Sequence, residues 1–171
     1  MARLAFFAFR ALHVLMAAVW IGSSVFISAQ LAPAIEGSGP AGGQVMTTLN
    51  RCLHVYMAAL ATITIVTGIY LLWRFSGGFD PTVLRTHAGM AFGIGGTSGI
   101  LAFIVGAIVV GPSGRQMAAL MAQAVKMADG PAKGAVFDQA NAIRRRIKIA
   151  SKVVIALQSV ALVLMALGHY V

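Results

Sequence analysis

Four histidines, His13, His54, His87 and His169, hold most of the reactive chemistry in this chain. A neutral imidazole ligates haem iron and copper, and the ring moves protons near neutral pH. Other reactive groups are sparse: one cysteine, Cys52, and four carboxylates, Glu36, Asp80, Asp129 and Asp138. All four carboxylates lie in connections between apolar runs. None is therefore set as a buried acid, base or proton relay, and hydrolytic chemistry is set aside. Gly93-Ile94-Gly95-Gly96 is no phosphate loop, because it lies within an apolar run and not between a strand and a helix. The nine methionines offer soft thioethers for Cu(I), but they are scattered, which suits packing. A lone Cys52 forms no intrachain disulfide.

The elements that must position these groups follow from composition. Of 171 residues, 59% are hydrophobic and 10% charged, with a mean hydropathy of +0.87. That is a membrane composition. Uncharged runs long enough to cross about 30 Å of hydrocarbon cover residues 11–35, 52–73, 86–114 and 153–171. Lipid offers backbone amides no partners, so each run must be helical. The expected fold is all-α, an integral membrane four-helix bundle in one domain over 1–171, with helices at about 5–33, 47–74, 84–111 and 136–171. The first run exceeds the roughly 7–15 residues of a signal-peptide core and is read as a span.

Charge orients the bundle. Arg3, Arg10, Arg74 and Arg85 fall on one side, whereas Arg51, Arg115, Lys126, Lys133, Arg144, Arg145, Arg146, Lys148 and Lys152 fall on the other. The positive-inside rule makes the second side cytoplasmic and puts both termini outside. No basic stripe interleaves with exposed aromatics, so nucleic acid is not an expected partner. Between the third and fourth helices, Gly111-Pro112-Ser113-Gly114 reads as a breaker. It precedes a cytoplasmic amphipathic helix over about 115–128, with Met117, Leu120, Met121, Ala124 and Val125 at helical spacing. Arg144, Arg145, Arg146 and Lys148 then ring the start of the fourth span as contacts for anionic lipid or an acidic partner.

Because helices alternate in direction, His13, His87 and His169 all fall toward the outer side and His54 alone toward the cytoplasm. Three imidazoles from three helices can converge on a haem iron or a soft metal; near span ends they can also simply be hydrated. If Leu4 to Phe9 enter the bilayer while Arg10 snorkels, His13 lies deeper, where an ionisable group usually marks a function. Trp20 shares its face, and Gln158 is an amide that needs a partner. On the third helix Gly89, Gly93 and Gly96 form one small-residue face and Gly95, Gly99 and Gly106 another, which suits close neighbours, a second copy or a partner membrane subunit.

Leu12-His13, Trp20-Ile21-Gly22, Thr67-Gly68-Ile69-Tyr70, the stretch Gly111-Pro112-Ser113-Gly114-Arg115-Gln116-Met117-Ala118-Ala119-Leu120 and the closing Met165-Ala166-Leu167-Gly168-His169-Tyr170 together resemble the bacterial copper-resistance D (CopD)-like membrane domains. The resemblance is closest to an uncharacterised four-helix branch and implies a multi-pass protein of the bacterial inner membrane. Membrane proteins of the HemJ type, similar in the Leu-His and Trp pattern of the first helix, bind haem b and oxidise protoporphyrinogen. Carried across, that likeness makes His13 an axial ligand. His169 stands where the branch's terminal motif has an arginine.

Three functions are therefore expected to compete. The first is a b-type haem protein passing electrons near the outer face, to or from quinone or a periplasmic carrier, with His13 and either His169 or His87 as iron ligands and Trp20 at the cofactor edge. The second is a non-catalytic subunit of a larger membrane complex, and the third is copper handling by the same histidines.

Overall fold

The structure, a computed structural model, describes residues 2–38, 40–168 and 170. Among them the chain is helical, with no strand: α1 (Ala2–Phe26), a π-helical turn (Ile27–Leu31), α2 (Ala32–Gly37), α3 (Pro40–Phe75), α4 (Pro81–Leu84), α5 (His87–Val105), a second π-helical turn (Gly106–Val110), α6 (Gly111–Val125) and α7 (Pro131–Leu167). Four stretches are long and apolar enough to cross a membrane: Arg3–Gly37, Cys52–Phe75, His87–Val125 and Pro131–Leu167. Each span supplies at least one residue to a common core of Trp20, Leu60, Ala61, Ala102 and Val154. The alanines let the helices approach closely where lipid provides no hydrophobic drive.

Both π turns have the same cause. In α-helical pairing the ring of Pro33 would meet the carbonyl of Ala29, and the ring of Pro112 that of Ile108. The chain relieves this one residue earlier by a wider turn: the Ala32 amide donates to the Ile27 carbonyl, and the Gly111 amide to the Gly106 carbonyl. Such adjustments let proline sit within membrane helices. The expected break at Gly111 to Gly114 is therefore a correction: α5 runs through its π turn directly into α6, and His87–Val125 is a continuous stretch of 39 residues. Along α6, Ser113, Met117 and Ala124 are buried, while Val125, expected on that face, is 77% exposed. This face packs on the first part of α7, whose Val136 and Ala140 are buried in turn. At about 1.5 Å per residue, the 37 residues of α7 extend for about 55 Å, well beyond about 30 Å of hydrocarbon.

The bundle thus has a hairpin end, made by α6 and the start of α7, and an opposite turn end between α3 and α5. At the hairpin end Glu36 meets Arg144 at 3.6 Å and Lys148 at 3.1 Å, fastening α2 to α7. At the turn end the buried Ser76 hydroxyl accepts from the Phe79 amide at 2.8 Å. Gly77, Gly78 and Phe79 all have positive φ. Asp80 then caps α4 and Thr86 caps α5, each accepting a backbone amide through its side chain. Gly89 permits the fold-back: a Cβ there would lie 2.7 Å from Leu84 Cα.

Candidate functional site

His13 lies well inside the first span, which begins at Arg3. Its Nδ1 is 2.9 Å from the Thr64 carbonyl oxygen and 3.1 Å from Thr67 Oγ1. The Thr67 hydroxyl in turn approaches the Ile63 and Thr64 carbonyls. A carbonyl only accepts, so Nδ1–H donates to Thr64 and the neutral ring keeps its lone pair on Nε2. Gly68 makes room for the ring, since a Cβ at that position would stand 2.9 Å from His13 Cε1. An imidazole oriented through Nδ1 leaves Nε2 as the nitrogen through which histidine binds metal or haem. On the donor side His13 therefore fits an iron ligand.

The other expected ligands are placed differently. His87 is the first residue of α5 and is exposed, whereas the Phe75 and Phe92 rings meet at 5.1 Å. Stepping from His87 to Phe92 and from Phe75 to Gly68 makes twelve residues of rise, or about 18 Å at ~1.5 Å each. The depth expected to be common to His13 and His87 is corrected accordingly, because the first span begins before residue 11 and carries His13 inward. His169 lies outside the described residues. Among the described residues no three His, Cys, Asp or Glu side chains gather as a metal site.

Of the basic group expected to meet lipid or a partner, Arg144 and Lys148 are engaged by Glu36, while Arg145 and Arg146 are exposed. The glycines do not sort by the two expected faces, since Gly89 on one and Gly95 on the other are the packed ones. Gly95 is packed on α7, where a Cβ would lie 3.3 Å from the Ala161 carbonyl, but Cβ atoms at Gly93, Gly96, Gly99 and Gly106 would meet nothing within 4 Å.

Trp20 does not accompany His13. It is 6% exposed and, with Ala61, Ala102 and Val154, lines the deep part of a cleft of about 330 Å³ in the hairpin half of the bundle. Ser28, His54, Arg115 and Ser151 line the same cleft toward the hairpin end. Both π turns contribute walls, through Ile27 and Ser28 on one side and Gly106, Ala107 and Val110 on the other. Because the Ala32 amide is taken by Ile27 and Pro33 has no N–H, the Ser28 carbonyl lacks a helical donor; Ala107, before Gly111 and Pro112, is in the same position. The cleft escaped the reading of histidines, yet a signal existed: the first span of each half carries a proline after an apolar run. Interrupted segments in corresponding positions of two halves point to a binding site in membrane proteins.

One turn beyond Val154, Gln158 is 1% exposed, and among the described residues neither its Oε1 nor its Nε2 has a hydrogen-bond partner. The chain matches no protein-family model, no curated protein and no solved structure.

Proposed function

We propose that this is a membrane-embedded haem b protein in which His13 ligates iron through Nε2. The observation that carries the reading is the Nδ1–H bond from His13 to the Thr64 carbonyl at 2.9 Å, which fixes the tautomer and points to a ligand. Bound haem supplies a one-electron couple. The chain's own residues hold the ring: Thr64 and Thr67 orient it, and Gly68 leaves the space it occupies. The hairpin end, rich in Lys and Arg, is cytoplasmic in this reading, and a bacterial inner membrane is the setting.

The test is a dithionite-reduced minus oxidised visible spectrum of detergent-purified protein expressed with haem supply. A sharp b-type α band is expected; it disappears in His13→Ala and persists in His54→Ala. His169→Ala tests the second ligand, whereas His87→Ala, about 18 Å away in depth, is expected to leave the band unchanged. A flat spectrum from well-folded, haem-supplied protein overturns the proposal. A second reading, a subunit that docks a partner membrane helix, is favoured by Gly93 and Gly96, where a Cβ would meet nothing within 4 Å. Gly93→Leu with Gly96→Leu then shifts the assembly to a smaller species in native gels.

A further inference from the structure

Four properties of the cleft in the hairpin half converge. First, both spans with π turns wall it: the π turns at Ile27–Leu31 and Gly106–Val110 line it through Ser28 and Ala107. π turns concentrate at functional sites. Second, its body is apolar, with Trp20, Met57, Phe103 and Val154 in the lining, so it suits hydrocarbon. Third, its volume of about 330 Å³ is at the lower end of ligand sites, which span about 300–1,000 Å³. That accommodates about eleven methylenes if each is given the ~30 Å³ of a liquid water. About eleven carbons of one acyl chain fit, and two chains do not.

The fourth property is charge. Arg115 lines the cleft where α6 leaves it and is exposed. The carboxylates of the described residues are engaged elsewhere or lie outside the lining: Glu36 holds Arg144 and Lys148, Asp129 holds Lys133, and Asp80 caps α4. No described side chain pairs with the Arg115 guanidinium. A planar, always-charged fork beside an apolar slot at the end of a span matches a phosphate that carries a hydrocarbon chain. Ser28 and Ser151 also bring hydroxyls to this slot, whereas Ser24, Ser159 and Thr97 donate theirs to the carbonyl one turn back.

We propose that this cleft binds one anionic phospholipid from the surrounding leaflet, its phosphate at Arg115 and one acyl chain running in toward Trp20. The proposal is independent of haem. It differs from the general attraction of Arg145 and Arg146 for an anionic surface, because it assigns the lipid a cavity and a single arginine.

The chain has two tryptophans, and Trp73 lies near the turn end and is 44% exposed, so Trp73→Phe leaves Trp20 as the only reporter. This full-length variant is placed in phosphatidylcholine nanodiscs containing either acyl-brominated phosphatidylglycerol or acyl-brominated phosphatidylcholine at equal mole fraction. Bromine quenches Trp20 on contact. The expected result is about a fivefold preference for the anionic lipid, lost in Arg115→Gln, reduced in Arg115→Lys and retained in the Arg145→Gln, Arg146→Gln double variant. Ala107→Phe, which fills the cleft and leaves Arg115 in place, lowers quenching by both lipids. Equal quenching by the two lipids overturns the proposal, as does a preference that survives Arg115→Gln or that is lost with Arg145 and Arg146. Helical circular dichroism of each variant shows that the fold is kept, and inorganic phosphate that abolishes the preference would also overturn a lipid-specific site.

Discussion

His13 keeps its ring where it is because the residue opposite has no side chain. An alanine at Gly68 puts a methyl 2.9 Å from Cε1 and forces the ring off the Thr64 carbonyl. We expect Gly68→Ala to cost about 1 kcal/mol, the usual net worth of a hydrogen bond, and, in the proposed haem-bound form, to broaden or shift the b-type band while His54→Ala leaves it alone. Thermal unfolding in detergent and the reduced spectrum, taken together, check this. Gln158 poses the opposite case. Two unpaired amide atoms in a buried position cost about 1–3 kcal/mol each in the folded state, so an apolar residue of similar size removes a penalty. Gln158→Leu is accordingly expected to raise the unfolding midpoint; a fall would show that the amide has a partner in the membrane-embedded protein.

Prolines shape the elements more than any charged residue does. With Pro112→Ala the chain regains an amide and loses the ring clash, and α5 can pair i to i−4 through Gly111. The variant is expected to gain about 1 kcal/mol from the restored bond and to lose the lipid preference as the wall of the cleft straightens; differential scanning and tryptophan quenching report the two effects separately. The turn end responds to pH. The Thr82 hydroxyl, and after it the Thr82 amide, holds the Asp80 carboxyl below the ordinary carboxylate range. A carboxylate with a lowered folded pKa stabilises the chain above its unfolded pKa, about 4, and this contribution is lost as pH falls through the lower folded value. Thr82 amide protection, referenced to Asp80→Asn, should therefore decline on acidification below about pH 4, and an unchanged ratio would contradict the cap.

At the scale of the whole molecule, orientation is the next quantity to measure. Alkaline phosphatase fused after Asp80 should be active and after Gly130 inactive if the hairpin end is cytoplasmic; the reverse pattern would invert the topology. The four spans were legible from apolar run length alone, because hydrocarbon thickness leaves a chain few other choices. Span ends were not. Arg3 and Arg10 interrupt the count of uncharged residues but not the helix, and that error set His13 level with His87. Gly111-Pro112 looked like a stop because proline ends helices in water, whereas here the chain widens one turn and continues. The cleft was hidden for a related reason: half of its lining is alanine, glycine and serine brought together from four spans, residues that carry no chemical signature singly.

The two proline bends have one more consequence. They lie in the spans that run in the same direction, and both face the same cleft, so the weakened turns form a hinge line across the bundle. Below it, α2 and the hairpin are fastened to each other through Glu36, Arg144 and Lys148, while α7 passes the hinge without a break. Bending at that line would open or close the slot beside Trp20 by swinging the hairpin end together with the whole of the unbroken α7 against α1 and α5. A spin-label pair reporting α2 to α5 would then change distance with lipid, while a pair within the hairpin would not.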